Sequence, residues 1–183
     1  MKQLYPYKGI RPKVDESAFI APGTVLVGDV TVGEGSSIWY NVTIRADVNP
    51  VKIGKWSNIQ DATIIHEDSG RGSGLDDGLP TIVGDYVTVG HGVILHACKL
   101  EDYALVGMGA TVMDGAVVGK GAVIGAGALV TKGTVIPPYS VVLGAPAKVI
   151  RTMTPDSLTE RLDQAKHYHH LAQEHMESLK EDN

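Results

Sequence analysis

The sequence has little cysteine, few aromatic residues and no long apolar run. Among its 183 residues are one cysteine, one phenylalanine and two tryptophans. A single cysteine, Cys98, excludes an intrachain disulfide, and we expect it to pack as a small apolar side chain. No run of 18 apolar residues occurs, and the N-terminus has no apolar signal segment. We therefore expect a cytoplasmic protein without a membrane span.

The charge balance is also short of positive residues. The chain contains 16 Lys and Arg residues and 21 Asp and Glu residues, which gives a formal net charge of −5. Such a balance offers no basic stripe for a phosphate backbone, so nucleic acid is not an expected partner. With 43% hydrophobic residues, the chain is long enough for one domain with a real core.

An aliphatic residue returns every six positions along most of the chain. Three irregularities interrupt the series: a three-residue insertion before Ile53, a Gly/Asp-rich loop before Val83 and one five-residue step before Leu100. This period matches neither an amphipathic helix nor a long alternating strand. It predicts a parallel β-helix in which each hexad supplies one short strand and one corner, three hexads close a coil, and neighbouring coils lie about 4.8 Å apart. The twenty positions are Val14, Ile20, Leu26, Val32, Ile38, Ile44, Ile53, Ile59, Ile65, Val83, Val89, Leu95, Leu100, Val106, Val112, Val118, Ile124, Val130, Ile136 and Val142.

The repeat ends at "LGAPAKVIR", and a C-terminal helix is predicted beyond it. We place a β-helix domain at 1–150 and an α-helix at 151–183 that packs on its own or a neighbouring β-helix. Thr154 is the expected cap, with Pro155 at the first helical position and Asp156 in the first turn. The four helix histidines are interpreted as a polar face rather than a second metal cluster: His167, His169, His170 and His175. The predicted apolar face consists of Leu158, Leu162, Ala165, Ala172, Met176 and Leu179.

Three histidines outside this helix fall into the register of the repeat. His66 and His96 each follow an inward aliphatic residue, and they are one 18-residue coil apart once about 12 loop residues are discounted. They should therefore stack on one outer face about 4.8 Å apart, close enough to share a zinc ion. Arg45 falls one coil below His66, in the same column.

His91 falls into a second column, together with Asp61, on a different face. It would meet His66 and His96 only if a neighbouring subunit brought it there. Threefold packing with a head-to-tail interface supplies such a neighbour and makes three equivalent sites. We therefore expect a homotrimer with the metal between chains.

Four segments carry a family resemblance: "RADVNPVKIGKWSNIQD", "HED", "GHGVILHACKL" and "GMGATVMDGAVVGKGAVIGAG". In motif and order they resemble the γ-class carbonic anhydrases across roughly residues 10 to 150. The left-handed sense of the β-helix is likewise implied by resemblance to hexapeptide-repeat proteins. By resemblance, the metal ligands are His66, His91 and His96, and the intersubunit ion pair is Arg45 with Asp61. The resemblance also places Gln60 and Asp47 near the bound water and matches Tyr168 to the family's site-lining tyrosine.

The implied chemistry is zinc-dependent hydration of CO₂ to bicarbonate, although three imidazoles also suit Fe²⁺ or Co²⁺. Gln60 is expected to hydrogen-bond the bound hydroxide, and Asp47 to orient ligands or accept a proton. One departure concerns proton export. Val48 stands where the archetypal family member has a glutamate. None of the acids Glu67, Asp68, Asp76 and Asp77 in the later Gly/Asp-rich loop aligns with that member's acidic shuttle.

Two other classes of function remain open. The first is that this chain is a slow or inactive metal-binding member of the family, which would fit the missing shuttle. Hexapeptide acyltransferases share the β-helix and even the "GAPAK" exit, but they need only one catalytic histidine beside an acyl-CoA. Fold alone cannot choose between these functions. The three histidines in register argue for the metal site.

Overall fold

The computed structural model describes residues 3–70 and 78–181, so Asp76 and Asp77 lie outside the described residues. Twenty short strands are followed by one long helix. The elements are β1 (Gln3–Tyr5), β2 (Lys13–Val14), β3 (Phe19–Ile20), β4 (Val25–Val32), β5 (Ser37–Ile38), β6 (Thr43–Ile53), β7 (Asn58–Ile59), β8 (Ile64–His66), β9 (Thr81–Val83), β10 (Thr88–Val89), β11 (Ile94–His96), β12 (Lys99–Leu100), β13 (Leu105–Val106), β14 (Thr111–Val112), β15 (Val117–Val118), β16 (Val123–Ile124), β17 (Leu129–Val130), β18 (Val135–Ile136), β19 (Ser140–Leu143), β20 (Lys148–Thr152) and α1 (Ser157–Glu181).

The strands stack in parallel from coil to coil, as the period predicts. Val89 pairs with Ile59 in one neighbouring coil and with Val106 in the other. The strands form one 12-stranded and one 8-stranded sheet. Among the strand pairs of the described residues, only β19 and β20 run antiparallel. Strand β20 also crosses the domain boundary expected at residue 150.

The repeated aliphatic residues fill the inside of the coil. All twenty except Val14 are at most 3% exposed, and Val14 packs against the same core. Residues on either side of each aliphatic position point outward, since side chains alternate along a strand. The buried column therefore determines which residues reach the outer surface.

The coil turns through residues in the left-handed backbone region. Glycine occupies many of these corners, for example Gly109 at φ +66°. Aromatic residues occupy others: Trp56, Tyr86 and Tyr103 have φ values between 53° and 62°. The rings of Tyr86 and Tyr103 stack 5.0 Å apart, so packing between coils offsets part of the backbone strain.

Helix α1 lies along the 8-stranded sheet of its own chain, where it contacts β3, β5, β7 and β10. The predicted apolar face is confirmed: Ala165 and Ala172 are buried, and the other four residues are half-buried. The predicted start is wrong by two residues. Thr154 to Asp156 form a turn in which the Thr154 carbonyl accepts the Ser157 amide at 3.1 Å, and the α-helix begins at Ser157.

The interpretation of the helix histidines as one polar face is only partly correct. His167 and His170 are exposed, but His169 and His175 face the β-helix. The ring centroids of His169 and Trp56 are 4.1 Å apart, and those of His175 and Trp39 are 5.1 Å apart. From the sequence, these two residues are predicted to belong to the polar face. They face the β-helix instead because imidazole rings also pack well against aromatic rings.

Candidate metal centre

The predicted histidine column is present on one outer face. His96 of β11 pairs with His66 of β8, which pairs with Arg45 of β6. The imidazole rings are 5.2 Å apart, and Nδ1 of His66 lies 3.2 Å from Nε2 of His96. The six-residue period thus brings together two side chains that are 30 positions apart.

The second predicted column is also present. Asn58 pairs with Thr88 and Ile59 with Val89, which sets Asp61 beside His91 in the next corner. Nδ1 of His91 lies 2.8 Å from Oδ2 of Asp61, and the imidazole is half exposed. His91 therefore presents Nε2 from a different face.

Each of the three histidines has a carboxylate partner on one ring nitrogen. His66 Nε2 is 3.2 Å from Asp47 Oδ1, His91 Nδ1 is 2.8 Å from Asp61, and His96 Nδ1 is 2.6 Å from Asp114 Oδ1. The opposite nitrogen of each ring is left for another ligand. A carboxylate behind a histidine is the usual support of a metal-binding imidazole.

Asp47 lies in a bulge created by the three-residue insertion. The pairing of β4 with β6 shifts register between Gly28 and Val30, where the inserted residues leave the ladder. Burial alone would raise the pKa of Asp47, but hydrogen bonds from Arg45 and His66, together with the positive charge of Arg45, outweigh it and lower that pKa to about 2. Asp47 is therefore ionised at neutral pH. A carboxylate with so low a pKa is a weak base, which favours the orienting role expected for Asp47 over the role of proton acceptor.

Glu67 is a site residue that the sequence analysis missed. We considered it only as a loop acid, but its side chain is completely buried. Oε1 accepts the Val48 amide at 2.8 Å and lies 3.7 Å from His66 Nε2. Within the described residues, Asp47, His66 and Glu67 form a group able to hold a cation. The sequence shows a glutamate next to a histidine in "HED", but it does not show that this glutamate is buried.

Gln60 belongs to a buried polar chain on the His91 face. Its Nε2 donates to Asn58 Oδ1 at 3.0 Å, and Asn58 Nδ2 donates to Thr88 Oγ1 at 2.9 Å. This bond uses the Gln60 side-chain nitrogen, so the side-chain oxygen can accept a hydrogen bond from another group. Asn58 and Thr88 are further residues that the sequence analysis missed, since both look like ordinary strand residues.

Tyr168 of α1 reaches the same face. A cleft of about 290 Å³ between the helix and the β-helix is lined by Tyr168, Gln60, His91 and Met108, among others. Burial, followed by the nearby charge of Asp61, raises the pKa of the Tyr168 hydroxyl. The cleft thus combines a protonated phenol, an amide and an imidazole.

Arg45 and Asp61 do not meet within the chain. Arg45 Nη1 instead contacts Asp47 Oδ2 at 2.6 Å, and Asp61 is beside His91. They lie in the two separate columns, so an ion pair between them requires a second subunit. The intersubunit pair stays a prediction.

The geometry of His66 and His96 fits a metal ion. Zinc–nitrogen bonds of about 2.1 Å at tetrahedral angles place ligand nitrogens about 3.4 Å apart. The observed 3.2 Å between Nδ1 and Nε2 is close to this value. With the carboxylates on the far nitrogens, this pair is suited to zinc and needs one further donor.

A parallel β-helix of hexapeptide repeats with a histidine column on its surface defines a hexapeptide-repeat protein. The protein family described as "Bacterial transferase hexapeptide (six repeats)" matches residues 11–46 and 97–132. A solved hexapeptide transferase family protein from Anaplasma phagocytophilum has the same fold, with a TM-score of 0.85, 39% sequence identity, and coverage of 94% of this chain and 97% of that one.

Curated relatives identify the family more narrowly. The chain is 51% identical over 167 residues to a Methanocaldococcus jannaschii protein named "Probable carbonic anhydrase", covering 91% of this chain and 99% of that one. It is 47% identical over 164 residues to the Arabidopsis thaliana protein "Gamma carbonic anhydrase 2, mitochondrial", covering 90% of this chain but 58% of that relative's length. The chain belongs to the γ-class carbonic anhydrase family, as the four motifs predicted.

Among the described residues, no helix is long and apolar enough to cross a membrane. The expected cytoplasmic location stays a prediction, because the Arabidopsis relative is named as mitochondrial.

Proposed function

We propose that this protein catalyses the reversible hydration of CO₂ to bicarbonate at zinc sites between the subunits of a homotrimer. The observation that carries the proposal is the pair of facing nitrogens, His66 Nδ1 and His96 Nε2, at 3.2 Å. His91, on another face, is the third ligand and comes from the neighbouring subunit. The family supplies the reaction, since relatives are named carbonic anhydrases.

Each chain carries two complementary halves of such a site. One half is the column of His66 and His96, and the other is the cleft with His91, Gln60 and Tyr168. A head-to-tail interface joins one half to the other in every pair of neighbours and closes into a ring. Ile64 and Ile94 flank the column and are 49% and 43% exposed, so apolar surface surrounds the histidines where a neighbour would pack.

Zinc held by three neutral imidazoles would keep one open position and supply the Lewis acidity that makes water reactive near neutral pH. Asp47, Asp61 and Asp114 hold the three rings from behind. Gln60, oriented by Asn58, offers its oxygen to a hydroxyl in the cleft. Met108 and Leu105 give the cleft an apolar wall suited to CO₂.

The experiment measures metal content and CO₂ hydration on one purified sample, beside His66→Ala and the exposed control His170→Ala. We expect about one zinc per chain and activity in the unchanged protein and the control, and neither in His66→Ala. If the protein contains Fe²⁺ or Co²⁺ in place of zinc, only the identity of the metal in the proposal changes. A protein that cannot be loaded with any of these metals would contradict the proposal.

Low activity is the main alternative. Val48, where the family has glutamate, is 61% exposed, while Glu67 is completely buried and cannot exchange protons directly with solvent. A metal-loaded trimer without measurable hydration would favour this alternative.

A hexapeptide acyltransferase is the second alternative, favoured by the transferase description of the matching family and of the Anaplasma relative. Binding of acyl-CoA by the purified protein would support this function. Retention of that binding in His66→Ala would separate it from the metal site.

A further inference from the structure

We propose that Asp114 is a positioning residue that holds His96 in the tautomer able to bind metal. The inference rests on the proposed function and extends it to a residue that neither motif analysis nor family comparison singled out. Asp114 Oδ1 lies 2.6 Å from His96 Nδ1. A carboxylate accepts a hydrogen bond from an imidazole N–H, so this contact favours the tautomer with the proton on Nδ1 and the lone pair on Nε2.

The tautomer matters because of what Nε2 faces. His96 Nε2 is 3.2 Å from His66 Nδ1, in the gap where a shared cation fits. A neutral imidazole in water exchanges between two tautomers, and only one of them presents a lone pair to this gap. Without Asp114, part of the population would direct an N–H into the gap and would need to rearrange before metal binds.

The backbone around Asp114 is held between two coils. The Gly115 amide donates to the Ala97 carbonyl at 2.8 Å, and the Gly133 amide donates to the Asp114 carbonyl at 2.8 Å. The carboxylate is therefore presented from a fixed corner one coil away from the ring it supports. It is also well shielded, with 19% of its side chain exposed.

The other two candidate ligands support this interpretation. Asp61 takes Nδ1 of His91, which leaves Nε2, whereas Asp47 takes Nε2 of His66, which leaves Nδ1. The carboxylate thus contacts a different ring nitrogen in each case, but the other ring nitrogen never faces a carboxylate. Each carboxylate comes from the coil next to its histidine: Asp47 is 19 positions from His66, and Asp114 is 18 positions from His96.

The test compares Asp114→Leu, which removes the acceptor, and Asp114→Asn, which keeps an acceptor without the charge. The exposed helix variant Asp163→Asn is the matched control. Nitrogen-15 NMR of histidine rings in the metal-free protein reads the His96 tautomer, with His96→Gln assigning the signal. Titration with Co²⁺ and Zn²⁺ gives the affinity, and trimer formation and thermal unfolding show that each variant folds.

We expect one His96 tautomer, protonated on Nδ1, in the unchanged protein and in Asp163→Asn. Asp114→Leu should mix the tautomers and weaken metal binding by about tenfold to a hundredfold, and Asp114→Asn should lie between them. If folded Asp114→Leu or Asp114→Asn leaves both tautomer and affinity unchanged, the inference is wrong. A changed tautomer with unchanged affinity also overturns it.

The proposed function can fail separately. If the unchanged protein binds metal but does not hydrate CO₂, the reaction is wrong while the affinity comparison still decides the role of Asp114. If it binds no metal at all, the proposed site and the role of Asp114 toward a metal both fail, and the NMR spectrum reports only the hydrogen bond.

Discussion

His66 and His96 face each other across adjacent coils, with Nδ1 and Nε2 3.2 Å apart, although 30 positions separate them in the chain. This contact exists because the loop between them disrupts the repeat without shifting the register of the coils on either side. Ile65 and Leu95, which precede the two histidines, pair inside the core and are fully buried. The proposed metal site therefore depends on core residues that do not touch it.

Replacing Gln60 with leucine should lower CO₂ hydration by about tenfold to a hundredfold while metal content stays the same. The amide is oriented by Asn58 at 3.0 Å and lines the cleft with His91, but it is not a ligand. Gln173→Ala, on the outer side of the helix, is the control and should be neutral. A loss of metal in Gln60→Leu would show that Gln60 supports the ligands instead.

Hydration should become faster with added imidazole buffer, because Glu67 is buried and Val48 replaces the acidic group of the family. Val48→Glu should raise the rate at low buffer concentration and reduce the dependence on buffer. Val135→Glu, also at an exposed position, tests for a general effect of added charge. A buffer-independent rate in the unchanged protein would show that another group already carries the proton.

Cys98 should resist thiol reagents in the folded protein. Burial, with a smaller contribution from the charge of Asp114, raises the pKa of this thiol to about 12, although backbone hydrogen bonds oppose the shift. Since the thiolate is the reactive form, reaction at pH 8 should be about a hundredfold or more slower than in urea, and its rate should keep rising with pH until the pH reaches that pKa. Equal rates in the folded and unfolded protein would contradict the burial of Cys98.

His175 should stabilise the docking of α1. Its Nδ1 lies 2.8 Å from the Tyr40 hydroxyl, and its ring packs edge-on to Trp39. His175→Ala should lower the free energy of unfolding by about 1–2 kcal/mol, because a hydrogen bond and buried ring area are lost. Exposed His170→Ala should change it by less than about 0.5 kcal/mol. Urea unfolding at one fixed protein concentration compares the two variants, and equal values would contradict this contact.

Much of the fold could be predicted from sequence because one period determines it. The six-residue spacing predicts which residues are buried, how coils pair, and which outer residues share a column. Arg45, His66 and His96 were therefore placed together correctly, as were Asp61 and His91.

Side-chain direction could not be predicted in the same way. Register places Asp114 one coil from His96 but does not say that its carboxylate turns toward Nδ1. Nor does it show that Glu67, at the start of a polar loop, turns inward, or that His169 packs on Trp56. These outcomes depend on packing between coils and with α1, which a linear pattern does not contain.

The most direct test of the proposed shared metal site mixes two variants that we expect to be inactive, His91→Ala and His96→Ala. Each variant alone should form trimers without metal, because every interface lacks one ligand. In co-refolded mixtures, some interfaces combine the intact His66 and His96 of one chain with the intact His91 of its neighbour. We predict that zinc content and CO₂ hydration both return in the mixture. A mixture that is trimeric but binds no zinc would contradict ligands from two chains.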